Sequence, residues 1–379
     1  MKIKYPDYNN CSTNLACSVL KEFGVDTGKT KGLPLCDELF QKNYKNIAVL
    51  LLDGMGVSIL QKNLKKDGFF NRHLALSYSS VFPPTTVAAT TSIDSGKYPA
   101  EHCWLGWDCY YKEIDENVTV FLNTKSGTEE PAADYYVAGK FCGYENIVSR
   151  IVAAGGQAYY STPFAYPNPG DFDAICERVE HLCRKPGKKY IYAYWNEPDH
   201  RMHRTGCFGQ EAVEVLEAVE RRVEQMCEHL EDTLLLITAD HGHMDSAGAA
   251  IIEYPKLMEC LVRLPSIEPR ALNLFIKDGY HEQFVTEFKK EFGEKFLLFT
   301  KKEVKEKQLF GPGEEHPQFD GMLGDYLAMA VDDLSIYNTI EEKEKFKGVH
   351  AGLTEEEMVI PLLVVEKKQE ERKEERWSE

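Results

Sequence analysis

The chain has 379 residues, of which 43% are hydrophobic and 28% charged, proportions that exclude a disordered or fibrous protein and point to a globular one. Lys and Arg number 44 against 61 Asp and Glu, a net charge of −17. Such a surface repels phosphate backbones and anionic headgroups, so neither a nucleic-acid polymer nor a membrane is the expected partner. Small anions remain accessible to an acidic protein if metal ions sit in its site.

At roughly 150 residues per domain, the length suits about two to three domains, or equally one large α/β domain with an insertion. Residues 1–20 (MKIKYPDYNNCSTNLACSVL) lack a continuous apolar stretch, and no window approaches 18 apolar residues, so the expectation is a cytoplasmic protein with neither an export signal nor a membrane span. Eleven cysteines are scattered without a CxxC pair. They read as reduced, buried thiols, and any metal is expected on His and carboxylates rather than on a thiolate zinc site.

In chain order, 46–52 (NIAVLLL) is a short apolar run ending in Asp53-Gly54-Met55-Gly56, the pattern of a strand buried on both faces. An amphipathic stretch at 147–154 leads through Gly155-Gly156 to a strand at 157–160. A helix is expected over 171–182, then an apolar strand at 190–195. Residues 211–230 carry Val215, Val219, Val223, Met226 and Leu230 at helical spacing, followed by TLLLIT at 233–238. This alternation predicts a layered α/β fold with helices on both faces of a parallel sheet. Residues 266–339 change texture and are expected to form a smaller inserted α/β subdomain. The core would then comprise 1–265 and 340–366, and 367–379 would be a solvated charged tail.

Functional loops of such sheets lie beyond the carboxyl ends of the strands. Three strand ends carry Asp53, the Asp199-His200-Arg201-Met202-His203 segment and Asp240-His241-Gly242-His243, and a glycine-flanked loop carries His350. Asp199 and His203 stand four residues apart, within reach of one ion from a helical turn. Together Asp53, Asp199, His203, Asp240, His241 and His350 supply three carboxylates and three imidazoles, a ligand set for two divalent ions such as zinc or manganese. The segment 81–92 (VFPPTTVAATTS) offers hydroxyls at a helix start, where the unpaired N–H groups favour negative charge. A cation near a threonine hydroxyl would make it a usable nucleophile.

The motifs LLLDGMG, FPPTTVAATTSIDSGKYPAEH, NEPDHRMH, TADHGH and GVHAGLTEEEM, in this order, resemble the alkaline phosphatase superfamily, in particular its type I phosphodiesterase and nucleotide pyrophosphatase branch. The resemblance spans residues of about 45 to 365. It implies the alkaline-phosphatase-like three-layer α/β/α sandwich. One metal would be held by Asp53, Thr86, Asp240 and His241, the other by Asp199, His203 and His350. Thr86 would be the nucleophile, forming a covalent phosphothreonine, with zinc as the usual ion. Members cleaving nucleotides carry an asparagine three residues after that threonine, a phosphate donor. Ala89 stands there in this chain, leaving Thr90 or the Val87 amide as alternative donors. His102-Cys103 replaces the usual His-Gly, with His102 expected to be structural. Trp104, Leu105, Trp107, Tyr110 and Tyr111 either wall a leaving-group pocket or pack a loop. The expected activity is metal-dependent hydrolysis of a small phosphate ester. A phosphomonoesterase, a phosphonate hydrolase or a noncatalytic metal-binding module are the alternatives.

Overall fold

Six strands form the central sheet, in the order Leu74–Ser79, Val359–Lys367, Thr233–Thr238, Asn46–Leu52, Lys189–Trp195 and Gln157–Ser161. The structure, a computed structural model, describes residues 1–28, 30–165 and 168–368, so most of the charged tail expected at 367–379 lies outside the described residues. Asn46–Leu52 is buried along its whole length. It runs parallel to Lys189–Trp195 and to Thr233–Thr238, as an apolar run without alternation requires.

The sheet is mixed rather than purely parallel. Val359–Lys367 runs antiparallel to both of its neighbours, Thr233–Thr238 and Leu74–Ser79. The Leu74–Ser79 strand alternates half-buried and exposed residues along its first four positions, as one-sided edge burial dictates. It lacks the continuous apolar signal that reveals the inner strands.

Helices flank this sheet. Phe172–Arg184 starts at Asp171, whose carboxylate accepts from the Ala174 amide, and packs on the Lys189–Trp195 strand. Gln210–Glu228 buries Ala212, Leu216, Val219, Val223 and Met226 as its apolar stripe. Ser12–Glu22 packs on Thr86–Ser95.

A second, antiparallel sheet has seven strands, ordered Phe296–Thr300, Tyr326–Ala330, Ala271–Leu274, Ser266–Glu268, Asp108–Tyr111, Glu116–Thr119 and Thr124–Lys125. It therefore extends beyond the 266–339 segment, because three of its strands come from 108–125. Its two halves meet where Ile267 pairs with Asp108. Among the described residues no helix is long and apolar enough to cross a membrane.

Candidate active site

Strand register puts the acidic loops side by side. Leu52 pairs with Trp195, and Leu51 with Thr238, so three neighbouring parallel strands end nearly level and deliver Asp53, Asp199 and Asp240 to one edge of the sheet. Glycines permit the close approach. Gly54 has φ +72°, and a Cβ there would lie 2.9 Å from the Asp199 Cβ. A Cβ on Gly242 would sit 1.9 Å from the Glu356 carbonyl oxygen. Neither position accepts a side chain without moving a loop.

All seven residues singled out in the sequence converge. Thr86 is the first residue of the Thr86–Ser95 helix, and its Oγ1 lies 3.5 Å from both Asp53 carboxylate oxygens and 3.2 Å from His241 Nε2. That imidazole nitrogen is in turn 3.3 Å from Asp53 Oδ1 and 3.4 Å from Asp240 Oδ2. Across the site, Asp199 Oδ2 is 3.3 Å from His203 Nε2, and its Oδ1 is 3.7 Å from His350 Nε2. The His241 and His350 rings stack, with centroids 3.8 Å apart, and join the two halves.

Each imidazole is oriented through its other nitrogen. Nδ1 of His203, His241 and His350 faces the carbonyl of Gly348, Gly242 and Pro84 at 2.8, 2.9 and 3.2 Å, which leaves Nε2 of each free to ligate. Asp240 is held by the amides of Gly54 and His241 on its Oδ1, while its buried Oδ2 has no hydrogen-bond partner among the described residues. Asp199 Oδ1 is likewise buried and, among the described residues, meets no geometrically formed hydrogen bond.

Two groups escaped the sequence reading. His243 is fully buried, with Nδ1 3.2 Å from Asp199 Oδ1; its spacing two residues after His241 was the available signal. Tyr194, near the end of its strand, donates its hydroxyl to Asp53 Oδ2. Nothing in an apolar strand sequence distinguishes that tyrosine from a packing residue.

The electrostatics suit cations. Burial pushes the Asp53 and Asp240 carboxyls well up from the usual range, and the charge of Asp199 adds to this for Asp53 while that of Asp53 does so for Asp240. For Asp199 burial is opposed and outweighed by His203, which holds it down. Three sets of donors, Asp53 with Asp240 and His241, Asp199 with His241 and His350, and Asp199 with His203 and His243, each lie within 4.8 Å of one another. Buried carboxylates with unused lone pairs beside imidazole nitrogens fit divalent cations of the zinc or manganese type.

The family described as type I phosphodiesterase/nucleotide pyrophosphatase matches residues 47–352. The chain belongs to that family. As a member it is a metal-dependent phosphoester hydrolase. Its fold is similar to that of murine ectonucleotide pyrophosphatase/phosphodiesterase 5, solved as an inactive threonine-to-alanine form with AMP, at TM-score 0.65 and 14% identity over 85% of this chain and 87% of that one. The human counterpart gives 0.64 and 14%, over 85% and 87%. Phosphonoacetate hydrolase from Sinorhizobium meliloti 1021, in complex with phosphonoformate, gives 0.62 and 15%, over 86% and 90%. No curated protein sequence matches the chain.

Against the family pattern, two surroundings of the Thr86 helix matter. Ala89 is fully buried, packed with Cys11, Val81, Ala88 and Tyr98, so its position faces the core and not the acidic pocket. Thr90 donates its hydroxyl to the Thr86 carbonyl at 2.6 Å, which occupies the proton a phosphate would need. His102 is buried and bonded to Ser92 Oγ and the Trp104 amide, and burial pulls its pKa down to about 3. It braces the helix in neutral form. Trp104, Leu105 and Tyr111 are core residues. Trp107 is 42% exposed and meets Phe121 edge-on at 6.2 Å.

Proposed function

We propose that this phosphoester hydrolase acts by two in-line displacements with Thr86 as nucleophile. The observation that carries the reading is the position of Thr86 Oγ1, at a helix N-terminus and within 3.5 Å of Asp53 and His241. Two divalent cations, one held by Asp53, Thr86, Asp240 and His241 and the other by Asp199, His203 and His350, would supply Lewis-acid charge at the attacking and departing oxygens.

Thr86 Oγ forms a bond to phosphorus as the ester oxygen breaks away and leaves as an alcohol. Water then forms the second bond to phosphorus, Thr86 Oγ departs, takes a proton and is restored. Asp53 stands beside the hydroxyl that must lose its proton, and the Tyr194 hydroxyl fixes the Asp53 carboxylate. The first-turn amides of the Thr86–Ser95 helix face the charge that builds on the phosphoryl oxygens. With Ala89 packed into the core and the Thr90 hydroxyl engaged, the Val87 amide is the donor left to replace the missing asparagine.

That loss favours substrates less demanding than nucleotides, such as phosphomonoesters or phosphonates, as the second reading. The fold shared with an enzyme captured with phosphonoformate supports it. Trp107 and Phe121, exposed and packed edge to face, offer apolar surface for a leaving group. The eleven cysteines are free thiols, which supports a reducing, cytoplasmic setting.

The test is Thr86→Ala, assayed on p-nitrophenyl phosphate monoesters and diesters with added zinc or manganese. The expected loss is on the order of a thousandfold or more in turnover, with folding and metal content retained. Undiminished turnover would overturn the nucleophile.

A further inference from the structure

Outside the acidic pocket, the fold assembles a second donor cluster from residues far apart in sequence. Cys103 ends the Pro99–His102 helix, and Cys142 ends the Val137–Phe141 helix. His316 is held to the first of these by its amide, which donates to the Ala100 carbonyl at 2.8 Å. One ligand atom from each of Cys103, Cys142 and His316 lies within 4.8 Å of the others. Met322 adds a thioether, its Sδ 3.9 Å from Cys142 Sγ. Ligands 2.3 Å from a tetrahedral metal are about 3.8 Å apart, so the two sulfurs already stand at the edge length of a coordination sphere.

We infer that Cys103, Cys142, His316 and Met322 form a soft-metal site selective for cuprous ion, separate from the catalytic centre. The donor chemistry decides the metal. Soft sulfur donors take Cu(I), zinc or iron–sulfur clusters, but zinc draws its ligands from thiolate, imidazole and carboxylate, so the thioether is the donor that tips the set toward Cu(I). The surroundings agree: Cys103, Cys142 and Met322 belong to an apolar cluster with Trp104 and Leu105, a shell that excludes water and hard anions. His316 is half-buried at the rim, and its chain neighbours Gly313 and Glu315 line a surface depression together with Ala100, Phe310 and Phe319.

Loading has a stated chemistry. Each thiol gives up its proton as its sulfur bonds the metal, so two protons are released per ion. His316 Nδ1 accepts from the Gln318 amide at 3.1 Å. A neutral imidazole has a single ring lone pair, so ligation by His316 releases that amide to water at the rim. Cys103 has φ +60°, a conformation that non-glycine residues rarely adopt, so the thiol occupies a place where the backbone favours glycine.

That strain supplies a clean variant. Cys103→Gly removes one thiolate and relaxes the backbone, so it is expected to fold, as circular dichroism would check. The full-length chain, reduced and oxygen-free, is titrated with Cu(I) against a chromophoric cuprous chelator. The wild type should withdraw one equivalent more copper than Cys103→Gly, and Met322→Leu should weaken that equivalent by about tenfold or more. Equal uptake by wild type and Cys103→Gly would overturn the site. Zinc held at the cluster in preference to copper would overturn the cuprous assignment.

Discussion

Arg270 and Glu357 form a fully buried bidentate ion pair, Nε to Oε1 at 2.6 Å and Nη2 to Oε2 at 2.8 Å. Arg270 precedes the Ala271–Leu274 strand of the second sheet, while Glu357 accepts from the Gly352 amide and the Thr354 hydroxyl, each at 2.7 Å. The pair therefore ties the second sheet to the loop that carries His350. The remaining guanidinium nitrogen is satisfied by the Leu334 carbonyl, so the charges are paired and hydrogen-bonded, as burial demands.

Breaking this pair from one side leaves a buried charge alone. Glu357→Gln is expected to cost about 3 to 5 kcal/mol, read by denaturant unfolding. The double change Arg270→Met with Glu357→Leu should recover much of that loss. Burial alone would raise the Glu357 pKa, but Arg270 outweighs it and the carboxyl is held low. Its stabilisation is thus present above the ordinary glutamate range and is lost as pH falls through the depressed folded value, a loss that Glu357→Gln should abolish.

Glu268 should give the opposite pH response. It accepts from the Thr85 hydroxyl at 2.5 Å and the Trp107 amide at 2.9 Å, on the same oxygen, and burial pushes its pKa from 4.5 to about 7. The folded state therefore holds a proton that the unfolded chain has released, and stability falls as pH rises from 4.5 to about 7. Glu268→Gln keeps an acceptor and removes the titration. Its melting temperature relative to the wild type should be higher at pH 8 than at pH 4, and a constant difference would refute the assignment.

Removing divalent ions should lower stability as well as activity. Asp53, Asp199 and Asp240 crowd a buried pocket, and a cation that binds only the folded chain stabilises it by about 2.7 kcal/mol at a hundred times its dissociation constant. Chelator-treated protein is expected to melt several degrees lower and to recover on adding zinc or manganese. An unchanged melting curve would speak against ion binding at these carboxylates.

His243 is expected to support ion binding beside Asp199, within the Asp199, His203 and His243 donor set. Its Nδ1 lies 3.2 Å from Asp199 Oδ1, and groups that orient a ligand typically contribute ten- to a hundredfold to metal affinity. His243→Ala should weaken metal retention by about that factor, measured by competition with a metallochromic chelator, while the fold persists.

Legibility followed the reach of the forces involved. The inner strands at 46–52, 189–195 and 233–238 announced themselves because a strand buried on both faces needs an unbroken apolar run. The long helices did so through their stripe. Edge strand Leu74–Ser79 did not, because one-sided burial leaves an alternating, weaker pattern. The antiparallel direction of Val359–Lys367 is invisible locally, since an apolar run reads the same in either direction. The acidic and imidazole residues were legible as chemistry; His243 had only its spacing from His241 to mark it, and Tyr194 had nothing until Asp53 lies beside it.

What the amino-acid order determined by itself is therefore local: which runs bury, where helices begin, and which reactive groups follow strand ends. The tertiary structure decided what those groups meet. Strand register brought Asp53, Asp199 and Asp240 to one edge, and three short helix ends gathered Cys103, Cys142 and Met322 although no CxxC spacing links them. The physical reason is that side-chain pattern is written within a few residues of the chain, whereas a site is written in distances between segments more than a hundred residues apart, which only the packing of the sheet fixes.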